Sequence, residues 1–309
     1  MNQIPVHILM ATYNGASFLR EQLTSIARQG HKRWPLTVSD DGSSDETADL
    51  LRRFASDVKQ PVNVMLGPGR GATRNFMHLI SQVQPSTPGE LFAFADQDDV
   101  WLNDKLERAV QWHEANRQET VRLYCARTRH VDVNLRVIGE SLRLQRAPCL
   151  GNALVQNIAS GNTMVFSLAV LQALQKIQPE HSVWHDWTTY LTTTALQGIV
   201  HHDETPVVLY RQHALNVIGA NNGWRARWNR LPPVLRGRYR TWSQTNLEAM
   251  ADIHHLLPET SRHTLEVFER MRNSAHCTQR INSLLKSGVR RQSRGSNMML
   301  LAALMLKLV

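Results

Sequence analysis

Over the first hundred residues, short runs rich in Val, Ile and Leu alternate with stretches whose apolar residues recur at helical spacing. That alternation marks βαβ units and confines the chain to an α/β architecture around a mostly parallel sheet. "VHILMAT" (6–12) reads as the first strand, and "ASFLREQLTSIARQ" (16–29) as a helix with Leu19, Leu23 and Ile26 on one face. "LTVSDD" (36–41), "VNVML" (62–66) and "LFAFAD" (91–96) supply three more strands. The helices between and after them are "DETADLLRRFA", opened by a capping box of Ser43 and Glu46, a segment from "GPGRGATRNF" to about Val83, and "NDKLERAVQWHEAN" with Leu106 and Val110 on one face. Beyond Tyr124 the pattern is less regular, with strands expected at 163–166, 199–202 and 207–213 as a mixed edge of the same sheet. From Trp242 two helices are expected, 242–257 and 261–285, ahead of the closing "KSGVRRQSRGSNMMLLAALMLKLV".

A chain of 309 residues with 42% hydrophobic content can bury a sizeable core, which suits an enzyme-sized globular protein. The opening has no basic n-region and no apolar run reaches 18 residues, so neither secretion nor a membrane span is expected. Cys125, Cys149 and Cys277 lie far apart, giving neither a disulfide framework nor a zinc site; a reducing cytoplasm fits. The net charge of +9 is uneven: Trp224 to Val309 holds fifteen Lys/Arg against five Asp/Glu, leaving twenty against twenty-one before it. Such a segment seeks a polyanion, either nucleic acid or an anionic lipid surface.

Acids gather where strands end: Asp40 and Asp41 after the second, Asp96, Asp98 and Asp99 after the fourth. Ligands of open α/β sheets bind outside the carboxyl ends of the strands, so these acids are expected to share one crevice. They would repel one another without a cation between them, and hard oxygen ligands suit Mg²⁺ or Mn²⁺ completed by phosphate oxygens. Asp96, Asp98 and Glu107 also match positions of a calcium hand, but Val100 and Trp101 stand where an oxygen ligand and a glycine are needed. The remaining reading is a solvated turn at a helix N-terminus, with Asp99 as a cap.

"ATYNGASFLREQLTSI", "VSDDGSSDET", "GRGATRNF", "FADQDDVW", "SGNTMVF", "HDW" and "YRQHALNVIGAN" occur in the order seen in family 2 glycosyltransferases. The chain resembles the rhamnosyltransferase-type members over about residues 4–222. The resemblance implies a GT-A fold: a mixed, mostly parallel central sheet in domain 1–222, with 223–309 as a basic helical C-terminal extension. It also implies a nucleoside-diphosphate sugar donor, dTDP-rhamnose or a UDP-sugar, and transfer with inversion to a saccharide acceptor in surface polysaccharide synthesis. By the same resemblance Thr12 and Asn14 border the nucleotide, Asp40 or Asp41 holds base or ribose, and Arg74 and Asn75 lie near the nucleotide, with Arg74 placed to bear on the diphosphate as well. Asp96, Gln97 and Asp98 match the DXD element, with Asp98 on the metal and Asp96 on ribose or metal; His213 is a further candidate for metal or diphosphate. Asp186 of "HDW" matches the general base, and a helix N-cap is its structural alternative. Trp184 and Trp187 could stack on an acceptor sugar or simply be core. His201, His202, His254 and His255 have no metal-ligand context.

The closing segment joins a basic cluster to an apolar end too short to span a bilayer but able to lie in its interface, which suits a lipid-linked acceptor and a peripheral place on the inner face of the plasma membrane. Its alternative is a helix packed on the domain. Two rival functions are a nucleotidyltransferase, disfavoured because "ATYNGASF" has no Lys or Arg before Arg20, and a non-enzymatic polyanion binder. Nucleic acid is not the expected partner.

Overall fold

The structure, a computed structural model, describes residues 4–213 and 238–309. Strands β1 (Val6–Thr12), β2 (Leu36–Asp40), β3 (Val62–Leu66) and β4 (Leu91–Ala95) lie side by side in the order β3-β2-β1-β4, all parallel, with Ile8 opposite both Leu36 and Ala93. β4 is apolar throughout, and β1 is so except for His7 and Thr12, because both of their faces are covered. Val6, Ile8 and Met10 face a core with Leu19, Leu23, Ile26, Trp34 and Trp101, while Leu9 and Ala11 face the other core with Phe76, Phe92 and Phe94. Helices α1 (Ala16–Ala27), α2 (Thr47–Asp57), α3 (Ala72–Gln82) and α4 (Lys105–Ala115) make the crossovers, close to their expected bounds. The capping box is not formed. The Ser43 hydroxyl donates to Asp40 at 2.6 Å, so α2 starts at Thr47, whose amide donates to Asp45.

The irregular second half builds more sheet than the sequence indicated. β8 (Val165–Ser167) runs antiparallel to β4, with Val165 opposite Ala93, and antiparallel to β6 (Arg122–Val131), a strand that the sequence did not reveal. β6 pairs in parallel with β9 (Ile199–Arg211) and antiparallel with β7 (Val137–Glu140), while the short β5 (Val100–Trp101) pairs with β9. β9 replaces the two strands expected there: Pro206 sits where the register shifts, so the chain bulges and continues. α5 (Leu150–Ala153), α6 (Leu168–Leu174) and α7 (His185–Ala195) cover this part. Because β8 is reversed, its start, not its end, lies beside the carboxyl ends of β4, β6 and β9.

The basic segment folds as α8 (Arg238–Asp252), α9 (Glu259–Asn273), α10 (Cys277–Ser287) and α11 (Arg294–Met305). The single helix expected over 261–285 breaks at Ser274, where Arg280 donates to the Ser274 and Ala275 carbonyls. These helices share the larger core with the sheet through Tyr239, Met250, Phe268, Leu300 and Leu304. The expected boundary at 222–223 lies outside the described residues.

Candidate active site

The strand ends are laced together before any ligand is considered. Thr12 donates its hydroxyl to Asp40 at 2.8 Å, and the Asp41 amide donates to the Thr12 carbonyl at 2.8 Å. Asp41 accepts from the Gly69 and Gly71 amides, both at 2.7 Å, so the glycine loop is folded around its carboxylate. Gly67 approaches so closely that a Cβ there would stand 2.7 Å from both Asp41 Oδ1 and Asn75 Oδ1. Asn75 is buried and donates to the Ser39 carbonyl at 2.8 Å, making it a brace between strand ends. Arg74 donates to the Glu180 carbonyl at 3.3 Å. Asn14, at positive φ, accepts from the Ser44 amide, and Gln97 pairs with both the amide and the carbonyl of Tyr13. Gln22 donates to the Asp96 carbonyl at 2.9 Å. One contiguous rim thus carries Thr12, Asn14, Asp40, Asp41, Asp96 and Gln97.

The acids of "DQDD" divide into two layers. Burial, then the negative charges of Asp98 and Asp186, push Asp96 up to about 7. Asp98 accepts from His213 Nε2 at 2.7 Å, which joins the end of β9 to this loop. Asp99 is no helix cap. It is fully buried, accepting from Asn162 Nδ2 at 2.5 Å and from the Arg211 amide at 3.2 Å. Arg211, also buried, donates to the Asp98 and Val133 carbonyls and pairs with Glu21. Lys105 lies fully buried with Nζ 3.0 Å from the Trp101 ring centroid; burial drives its proton affinity well below the ordinary lysine range, against the opposing pull of Asp99 and Asp96. Burial and the neighbouring carboxylates hold Asp99 well above the ordinary carboxylate range. Glu107 lies against Gly30, which removes the calcium-hand alternative.

Asp186 is reached from the other side of the crevice. The N-cap of α7 is Trp184, so Asp186 is its second residue, not its cap. Its carboxylate accepts from the Trp187 amide at 2.6 Å and from the Gly161 amide at 3.3 Å, yet burial dominates and raises it to about 6. Gly161 is required by packing: a Cβ there would stand 2.8 Å from His185 Nε2 and 3.1 Å from Asp186 Cβ. His185 is wedged with its ring 3.8 Å from that of Phe76, and burial depresses it to about 3, so it is neutral. Trp187 is 3% exposed and donates to the Ala153 carbonyl, so it presents no face to a saccharide; Trp184 stacks on it and against Trp242. A cleft of about 340 Å³ lined by Arg146, His201 and His202 shares no residue with this site.

Sequence reasoning did not find Lys105, Arg211, Asn162 or Asn157, whose side chain neighbours Asp186 and favours its charged form. Lysine and arginine give no sign of burial by type. Asn162 was visible only as part of "SGN".

Residues 7–146 match the family model described as "Glycosyl transferase family 2". The chain is 28% identical over 251 residues to the dTDP-rhamnosyl transferase RfbG of Shigella flexneri, covering 79% of this chain and 85% of that one. It is 31% identical over 111 residues, 36% of this chain and 41% of that one, to the Escherichia coli UDP-Glc:alpha-D-GlcNAc-diphosphoundecaprenol beta-1,3-glucosyltransferase WfgD. Its fold matches the mannosyltransferase PcManGT of Pyrobaculum calidifontis, solved with GDP-Man and Mn²⁺, at a TM-score of 0.52 and 15% identity over 100% of this chain and 86% of that one. The protein is a glycosyltransferase. More particularly, residues 7–146 carry a family 2 domain, the fold is GT-A, and the chain is similar to a rhamnosyl transferase.

Proposed function

We propose that this glycosyltransferase moves a hexose, rhamnose on the strength of its Shigella relative, from a nucleoside-diphosphate donor to a saccharide acceptor with inversion. The observation that carries this reading is the electrostatic meeting of Asp96, Asp98 and Asp186 at one crevice, fed from opposite sides by β4 and α7. The nucleotide would lie along Thr12, Asn14, Asp40 and Asp41, where Asp41 and its glycine loop already form a closed cradle. Nothing supports Arg74 as a diphosphate ligand beyond its place at the start of α3.

The donor set fits a divalent cation. Asp98 Oδ2 and His213 Nε2 share one hydrogen bond, and Asp96 beside them holds its proton because it is buried and faces the charges of Asp98 and Asp186. Among the described residues no group of three or more His, Cys, Asp or Glu stands ready to hold a metal. Two protein ligands suit Mg²⁺ or Mn²⁺, whose shell is completed by water and diphosphate; the ion when bound neutralises the departing diphosphate. Asp186 takes the proton of the acceptor hydroxyl as its oxygen bonds to the anomeric carbon and the bond to the diphosphate oxygen breaks. Its raised proton affinity makes it a better base than a solvated aspartate. A lipid-linked acceptor is supported by the name of the E. coli relative, and such an acceptor would be met at a membrane face; no helix of the described residues is long and apolar enough to cross one.

The test is binding and turnover together. Thermal-shift titration with dTDP and UDP, with and without Mn²⁺, followed by donor consumption, should show metal-linked nucleotide binding that Asp98→Ala weakens and Asp186→Ala keeps, with turnover lost in both. Metal-independent binding untouched by Asp98→Ala would sink the metal assignment. A nucleotidyltransferase would instead release pyrophosphate from a nucleoside triphosphate.

A further inference from the structure

Past its polar first turn of Arg294, Ser296 and Asn297, helix α11 is apolar all round, yet only one side of it is covered. Leu300, Ala303 and Leu304 are buried in the main core, so the alternative of a helix packed on the domain holds for that face. The opposite face carries Met298, Met299, Met305 and Leu306 at 67%, 54%, 50% and 64% exposure, with Ala302 between them. A helix in water ordinarily turns a polar face outward, and four large apolar side chains on one short helix leave a contiguous stripe unaccounted for. The stripe is bracketed by exposed Arg294 and Lys307. From Arg270 to Val309 the chain has no Asp or Glu and eight Lys/Arg, of which Arg272 and Arg280 are buried and the others reach the surface at least in part.

We propose that the outer face of α11 docks this enzyme in the interface of an anionic lipid bilayer, an inference that rests on the lipid-linked acceptor reading above. Twelve residues of helix span about 18 Å, too short to cross the hydrocarbon but the right form to lie in its surface. The basic surround names the occupant. A second copy would set Arg294 and Lys307 against their own like charges, whereas anionic headgroups attract each nearby Lys or Arg. Methionine suits the role because its flexible thioether side chain adapts to a fluid partner.

The anchor is braced to the acceptor side of the crevice. Just ahead of α11, the Arg290 carbonyl accepts from Asn152 at 3.0 Å, Arg291 donates to the Val155 carbonyl at 3.0 Å and the Gln292 amide donates to Gln156 at 2.9 Å. Residues 152–156 include Ala153, which accepts from Trp187, and lead directly to Asn157, a neighbour of Asp186. A membrane-seated α11 therefore holds the proposed base in fixed relation to the surface from which a lipid-linked acceptor arrives.

Co-sedimentation of the full-length protein with phosphatidylcholine vesicles, with and without phosphatidylglycerol, tests this. Wild-type protein should bind the anionic vesicles at least about tenfold more tightly than the neutral ones, and less so as salt rises. Met298→Glu/Met305→Glu should cost at least about tenfold in that binding, and Arg294→Glu/Lys307→Glu a similar factor, with thermal melts unchanged because every altered side chain is exposed. Equal binding by wild type and both variants, or binding by none, overturns the proposal. A concentration-dependent dimer in sedimentation equilibrium that the methionine pair abolishes overturns it in favour of a second copy. Metal-linked nucleotide binding, measured without vesicles, reports on the enzymatic reading separately.

Discussion

Asp186 and Asp96 both hold their protons more tightly than a free aspartate, with different consequences. A base that titrates near 6 is disabled below that value, so donor-to-acceptor turnover should fall about tenfold per pH unit under pH 6 and level off above it. Asp186→Asn should remove about 10²- to 10⁴-fold of turnover and leave nucleotide binding in place; an acid limb that persists in the residual activity of that variant would reassign the base. For Asp96 the linkage runs through stability. Its folded-state value of about 7 exceeds the ordinary 3.8, so its favourable contribution is complete below 3.8 and is lost as pH rises through 7. Metal-free protein should therefore melt lower at pH 8 than at pH 5 in calorimetry, by a difference that Asp96→Asn reduces by about 2–4 °C. The carboxylate positions were legible as sequence because "DQDD" closes a buried strand. Their two layers were not, since burial of Asp99 depends on Asn162 and Arg211, which lie 63 and 112 residues further on.

At the scale of elements, Asp99 ties three of them together: its own loop after β4, the turn entering β8 through Asn162, and the end of β9 through Arg211. Asn162→Ala would leave a buried carboxylate short of a partner, at a cost of about 1–3 kcal/mol in urea unfolding. It should lower turnover as well, because the adjacent Gly161 amide contacts Asp186. Gly161→Ala is the complementary probe. Its methyl must displace His185 or Asp186, so turnover should fall while the dTDP- or UDP-dependent thermal shift stays within about a degree of wild type. The helices around β1 to β4 were legible because period-2 and period-3.6 patterns separate cleanly there. β6 was not, because "RLYCARTRHV" interleaves Arg with apolar residues and Arg127 is buried by pairing with Glu140. Nor was the unity of β9, whose Pro206 reads as a stop until a neighbouring strand accommodates the bulge.

For the molecule as a whole, the basic C-terminal helices are partners in the main core. Val289, Leu300, Ala303, Leu304 and Val309 all belong to it. Truncation after Gly288 should therefore lower the melting temperature markedly or yield insoluble protein, since each lost large side chain forfeits about 2–5 kcal/mol; an unchanged melt would show that this packing contributes nothing. The sequence announced the charge of this region and its apolar close. It could not apportion the faces of α11, because the run from Met298 to Leu306 holds no polar residue and carries no phase until something packs on one side.

The reversal between β4 and β8 divides labour across the molecule. Every loop that touches the acids, including the turn entering β8, leaves on one rim, while the connections at 84–90 and 116–121 leave on the other. Short flexible inserts, affinity handles or fluorescent reporters spliced into the exposed "QPSTPG" stretch should therefore go unnoticed by catalysis, offering an engineering port remote from the chemistry.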